Sequence, residues 1–211
     1  MINEMVQLQS QPITFEEFIA WYPEQSEYHY ELYKGTIVEM PKPTGEHSEI
    51  SGFLSLELGI QCRRNQQSCF VPKECVVKPF RDYSGYEPDV IVLDRQALNK
   101  EPYWSTGSII TIGTSVRLIV EVVSSNWRND YYLKAADYEE MGIAEYLIVD
   151  YRGLGGRRFI GNPKQPTISL YQLVDGEYQI SQYRGNETIE FSAFPELNLT
   201  AEQIFKAGLS T

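Results

Sequence analysis

The sequence is poor in the residues that build most metal and redox sites. It has 2 histidines and 3 cysteines in 211 residues. Cys62, Cys69 and Cys75 form no CxxC pair and leave an odd count, so they read as free thiols in a reducing compartment. His29 and His47 are poorly placed in sequence to complete a zinc site with them. Positive charge is also scarce: 18 Lys and Arg face 29 Asp and Glu, a formal net charge of −11. That balance argues against broad, charge-driven binding to nucleic acid or to an anionic membrane, and leaves room only for a local basic patch or a metal-mediated contact with phosphate. No apolar run approaches membrane-spanning length. The opening MINEMVQLQSQP has neither the basic start nor the apolar core of a signal peptide. A soluble cytoplasmic protein is expected. There is no internal repeat and no low-complexity tract.

What is present suffices for a globular core. Hydrophobic residues make up 42% and aromatics 13%. Residues 1–12 read as a loose, flexible tail and 13–211 as one domain. Thr14 to Tyr22 has the pattern of a short amphipathic helix, with Thr14 as N-cap and Glu17 completing a capping box. Tyr28 to Met40 reads as a hairpin turning at Lys34-Gly35. Glu46 to Arg64 reads as a helix with Ile50, Phe53, Leu54, Leu56, Leu58 and Ile60 on its apolar face and His47 in its first turn. Strands are expected near 76–80 and 89–93. Asp89 then stands at the mouth of a buried strand, behind Pro88, where a missing N–H is tolerated. Residues 95–116 read as a long polar connection. The Gly- and Arg-rich 152–165 stretch is a weak phosphate signal with no clear helix after it. Its Arg157-Arg158 pair is the clearest basic cluster, ahead of Arg63-Arg64. A hairpin with an Asp175-Gly176 turn and a final helix capped by Thr200 and Gln203 complete the chain.

The chain is organised around Leu118 to Tyr151. Leu118 to Val123 is short, β-branched and apolar, as expected of a buried strand. Glu121 interrupts it, and a buried carboxylate needs a cation or hydrogen-bond donors. A helix is expected from Asn129 or Asp130 to Gly142, then a strand over 145–150. Strand, helix, strand favours parallel pairing. On that helix Tyr131, Lys134 and Tyr138 share a face by i, i+3, i+4 spacing. Lys134 can therefore lean over the end of the strand that carries Glu121. The plain alternative is a solvated lysine paired with Asp130 or Glu139. For His47 it is a polar surface histidine, and for Asp89 a carboxylate capping a strand start.

Two carboxylates at strand positions and a nearby lysine say more together. They can hold Mg²⁺, a hard cation that prefers oxygen and keeps several waters, with a backbone carbonyl such as that of Val122 completing the set. The lysine can orient or deprotonate an attacking water, because burial and nearby cation charge lower its pKa. Such a site fits phosphodiester hydrolysis. A glycosidase-type carboxylate pair is a weaker reading that leaves Lys134 without a task.

The order GxxVEM (Gly35 to Met40), an early-helix histidine, PDV (Pro88 to Val90), EVVS (Glu121 to Ser124), DxxxK (Asp130 to Lys134) and YxxxGxxEYxIVD (Tyr138 to Asp150) resembles the Uma2 family of restriction-endonuclease-like proteins, itself similar to the PD-(D/E)XK nucleases. The resemblance spans roughly Tyr28 to Leu173 and is most specific over Glu121 to Asp150. It implies an α/β (α+β) fold: a mixed sheet flanked by helices, with a restriction-endonuclease-like αβββαβ core, an added N-terminal helix and hairpin, and a C-terminal β-hairpin. It further implies a Mg²⁺-dependent endonuclease acting on DNA (Mn²⁺ as substitute), with Asp89, Glu121 and Lys134 catalytic and Asp89, Glu121 and Val122 at the metal. The lysine expected two residues after the glutamate is absent, since Val123 stands there, and Lys134 on the following helix matches the family's replacement. Glu31 and His47 match further family positions as metal-shell or substrate-positioning groups. Restriction-type cleavage of both strands implies a homodimer. The competing expectation is a catalytically inactive module of the same fold, acting in protein association or regulation. The net charge of −11, the aromatic content and exposed sheet edges would suit it.

Overall fold

A computed structural model describes residues 11–23, 28–64 and 68–208. The expected tail lies largely outside them. In chain order the elements are α1 (Phe15–Trp21), β1 (His29–Tyr33), β2 (Thr36–Met40), α2 (Gly45–Arg64), β3 (Cys69–Phe70), β4 (Val76–Val77), β5 (Val90–Asp94), a single turn α3 (Trp104–Gly107), β6 (Ile109–Ile110) and β7 (Val116–Val122). A helix follows that is π-wound over Asn129–Lys134 and continues as α4 (Ala135–Glu140). Then come β8 (Glu145–Asp150), a single turn α5 (Arg157–Ile160), β9 (Thr167–Val174), β10 (Glu177–Tyr183) and α6 (Ala201–Ala207). The central sheet has six strands in the order β10-β9-β8-β7-β5-β3. Its one parallel pairing is β7 with β8, the two strands joined through α4. All its other pairs are antiparallel.

The strand period of two sorts the central side chains onto two faces. Val90, Val92, Leu118, Val120 and Val122 pack with Ile50, Leu54 and Leu58 of α2. Ile91, Leu93, Ile119, Tyr146 and Ile148 pack with Tyr131 and Tyr138 on the other side. Glu121, odd-numbered like Ile119, therefore points to the second face.

Both capping boxes are formed, Thr14 with Glu17 and Thr200 with Gln203. Both hairpins turn where the sequence indicates. Lys34 and Gly35 have φ of 48° and 77°, Asp175 and Gly176 52° and 88°, the left-handed pair that a two-residue hairpin turn requires. The helix after β7 ends ahead of Gly142 at φ 76°.

Several expectations need correction. The strand read at 76–80 is only Val76–Val77. It leaves the central sheet to pair in parallel with β6, and Phe80 is exposed. The first strand of the αβββαβ order is instead β3, on the edge beside β5. Residues 95–116 are not a bare connection: Glu101 accepts hydrogen bonds from the backbone of Thr111 and Ile112 and from the Thr111 hydroxyl, which folds the segment onto itself. Gly113 lies so close to the end of α4 that a Cβ there would stand 2.0 Å from the Met141 carbonyl oxygen. Leu56 does not belong to the apolar face of α2. Two residues from Leu54 and Leu58, it points outward and is exposed. A helical turn, α5, does follow the RGLGG stretch. The cysteines are not all free: Cys62 and Cys69 form a disulfide and only Cys75 is a free, buried thiol. The end of α2 and the edge strand β3 bring two Cα atoms to 5.5 Å across a gap of seven residues, within disulfide range. No helix among the described residues is long and apolar enough to cross a membrane.

Candidate active site

The antiparallel pairing of β5 with β7 brings the start of one strand against the end of the other, since Val90 faces Val120. Asp89, one residue before β5, accepts a hydrogen bond from the Val122 N–H at 2.7 Å. The strand-cap reading of Asp89 is thus correct as geometry. It leaves the carboxylate at the floor of a cleft of about 800 Å³ with a quarter of its side chain exposed.

Lys134 is 2% exposed, so the solvated alternative does not hold. Its ammonium lies 2.9 Å from Glu121 Oε1 and 3.0 Å from Glu31 Oε1. The π turn contributes to this placement. An extra residue per turn changes which side chains face inward, and Asp130, Tyr131 and Lys134 are buried while Tyr132 between them is exposed. Burial pulls the lysine pKa down, but Glu121 and Glu31 more than offset it and hold it well above the usual value. Lys134 is therefore an ammonium at neutral pH, not the lowered-pKa amine that burial by itself would give.

The acids respond oppositely. Burial pushes Glu121 well above the carboxylate range, Lys134 opposes this, and Asp89, Asp130 and Glu31 add to it. Asp130 is raised to about 7 by burial, with Lys134 opposing and Asp89 and Glu31 reinforcing. Glu31, Glu121 and Asp130 thus share one ammonium, while Asp89 lies against His47.

His47 is not a surface histidine. The Thr44 hydroxyl accepts from its backbone N–H at the start of α2, and the ring reaches the cleft with Nε2 3.0 Å from the Val122 carbonyl oxygen and 3.3 Å from Asp89 Oδ2. Burial lowers its pKa, but Asp89 and the Val122 carbonyl outweigh this and the net shift is upward. Glu31 is fully buried. It accepts from the Glu87 N–H and, through its other oxygen, from the Tyr33 hydroxyl.

All six positions singled out from sequence, Glu31, His47, Asp89, Glu121, Val122 and Lys134, thus converge. Three further groups were missed. Asp130 lines the cleft with Oδ1 3.9 Å from Lys134 Nζ. Tyr138 donates to Glu121 Oε1 at 3.3 Å. Tyr33 orients Glu31. The i, i+4 spacing of Asp130 and Lys134, and the alternation that puts Glu31 and Tyr33 on one face of β1, were the available signals.

No group of three or more His, Cys, Asp or Glu side chains among the described residues is arranged to hold a metal. The donors available are Asp89, Glu121 and the Val122 carbonyl, all hard oxygens lining one cleft. Two carboxylates, a carbonyl and several waters suit Mg²⁺, which dehydrates reluctantly and takes few protein ligands. The excess of buried carboxylates over cations likewise matches a site that would gain from a divalent ion.

A family model described as "Uma2: Putative restriction endonuclease" matches residues 15–202. Among solved structures, the chain is similar to a protein from Anabaena variabilis ATCC 29413 described as "a putative nuclease belonging to DUF820". The TM-score is 0.72 at 18% identity, over 94% of this chain and 100% of the other. An identity that low establishes the shared fold and nothing further. No curated protein matches the sequence.

Proposed function

This chain belongs to the Uma2 family, and on that premise we propose that it is a metal-dependent endonuclease hydrolysing phosphodiester bonds in DNA. The observation that carries the reading is the buried Lys134, fixed between Glu121 and Glu31 beside Asp89 at the floor of an open cleft. An association module has no use for a buried ammonium among the buried carboxylates of Glu31, Glu121 and Asp130 beside a cleft, where such groups are costly.

Asp89, Glu121 and the Val122 carbonyl would hold Mg²⁺, or Mn²⁺ in its place. When bound, the ion neutralises phosphate charge and acidifies a water. As an ammonium, Lys134 donates: it fixes the attacking water or a phosphate oxygen and places positive charge where negative charge gathers in the transition state. Neutralising Glu121 removes the attraction that holds the lysine pKa up and leaves burial to lower it, which brings Lys134 toward the role of base. Glu31 and Tyr138 position Lys134 and Glu121. His47 holds Asp89 and the Val122 carbonyl in register.

Calorimetric titration with Mn²⁺ tests the site. The wild type is expected to bind, and a folded Asp89→Ala/Glu121→Ala double variant to lose that binding. Unchanged affinity in the double variant would remove these residues from the metal site.

A further inference from the structure

Beside the cleft lies a surface that the chemistry above does not use. Trp127, five residues past the end of β7, lines the cleft, and so does Arg152. The Trp127 ring sits 6.3 Å from both Tyr132 and Phe159, which meet each other at 5.0 Å. The guanidinium of Arg128 lies 4.5 Å from the centre of the Trp127 ring. That of Arg158 lies 4.8 Å from Phe159 and 5.3 Å from Tyr132. Tyr132 is 42% exposed, and all three arginines are exposed. Among the described residues none of the three pairs with a carboxylate, whereas Arg81 and Arg117 do. In a chain of net charge −11, this is a local concentration of uncompensated positive charge interleaved with aromatic rings, and it opens onto the cleft that holds Lys134.

We propose that this surface binds an unpaired nucleic-acid strand, with bases stacked on Trp127 and Tyr132 or on the guanidinium planes above them, and phosphates paired with Arg128, Arg152 and Arg158. Stacking on aromatic and guanidinium faces tolerates any base, since every base has a π face. Three arginines neutralise a few phosphates, enough for a short single strand. A duplex footprint would lie against an otherwise acidic molecule and be repelled. An acidic peptide would use the charge but not the flat stacking surface of the rings and the guanidinium planes above them. The π turn that carries Lys134 inward carries Tyr132 outward, so the platform is fixed relative to the cleft floor. The proposal rests on the nuclease reading for the strand's path and narrows its substrate to nucleic acid with a single-stranded stretch next to the scissile phosphate.

The test is fluorescence anisotropy with a labelled single-stranded oligonucleotide and its matched duplex, in Ca²⁺ and in chelator, on the full chain. The single strand should bind more tightly than the duplex. Trp127→Ala and Arg158→Gln should each weaken single-strand binding roughly tenfold, and Trp127→Phe should retain most of it. Arg158→Gln should also flatten the dependence of binding on salt by somewhat less than one unit of log–log slope. Arg95→Gln is the control. Arg95 likewise covers a ring, Phe70, at 4.1 Å, but it follows the far end of β5 from Asp89, and its loss should change nothing. A wild type that binds no single strand, or Trp127 and Arg158 variants that bind like wild type, would overturn the proposal. Cleavage that needs Lys134 but ignores these variants would remove the platform and leave the nuclease. Platform-dependent binding without any cleavage would do the reverse.

Discussion

Replacing Lys134 with methionine keeps the length of the aliphatic stem and deletes the ammonium. It leaves Glu31, fully buried, and Glu121, 4% exposed, without the cation that now lies at 3.0 and 2.9 Å. Breaking a buried pair costs about 3–5 kcal/mol when the remaining charge has no compensation. Here that cost depends on pH. The folded pKa of Lys134 is raised, so its contribution is complete below the ordinary amine value and is lost only as pH rises through the folded one. At pH 8 the whole of it is at stake. In the variant Glu121 escapes by protonation. Burial already raises its folded pKa and the opposing lysine is gone, so the variant loses stability as pH climbs from the ordinary carboxylate value toward the folded one. Urea unfolding followed by tryptophan fluorescence should therefore give a deficit near the full 3–5 kcal/mol at pH 8 and a markedly smaller one at pH 5. Adding Glu31→Gln to Lys134→Met should recover part of the loss at pH 8, a coupling that a double-mutant cycle measures directly. A deficit that is the same at both pH values, or below about 1 kcal/mol at pH 8, would refute the buried-pair account.

Other consequences can be checked on the same apparatus. The folded pKa of His47 is raised, so its contribution is present below about 6.5 and lost above the folded value. His47→Gln should cost about 1 kcal/mol more at pH 5.5 than at pH 8.5, and equal costs would contradict that. Gly113→Ala should destabilise by more than about 2 kcal/mol, because its Cβ would stand 2.0 Å from the Met141 carbonyl. Gly59→Ala, in the interior of α2 with nothing within 4 Å, should stabilise by about 0.5–1 kcal/mol; urea midpoints that do not separate the two variants would count against both claims. Thiol titration of the urea-unfolded, unreduced protein should find Cys75 alone reactive, with Cys62 and Cys69 appearing only after reduction. All three reacting at once would exclude the disulfide.

Much of the site was legible because its residues carry costly chemistry at regular spacings. A lone glutamate in an apolar strand had to find a cation, and the i, i+3, i+4 face of the next helix supplied Lys134. Asp89 was placed by Pro88 and the apolar run behind it. What the sequence did not reveal depended on contacts between distant segments. Cys62 and Cys69 are joined by how α2 meets an edge strand of two residues. Val76–Val77 has strand composition, but its partner Ile109–Ile110 lies inside a segment with the look of a polar connection. The protonation of Lys134 depends on Glu31, 103 residues earlier, which arrives from a hairpin outside the central sheet. Asp130 looked like a helix-starting residue because nothing local distinguishes a cap from a buried acid. The π winding that turns it inward has no sequence signature of its own.

The central claim is that this cluster hydrolyses phosphodiesters, and a cleavage assay tests it most directly. Supercoiled plasmid and single-stranded DNA would be incubated with wild type and with Lys134→Ala, in Mg²⁺, in Mn²⁺ and in chelator. Cleavage that requires the metal and disappears in the variant, with the variant still folded, is the predicted result. Cleavage that persists undiminished in folded Lys134→Ala, or in chelator, would contradict the account.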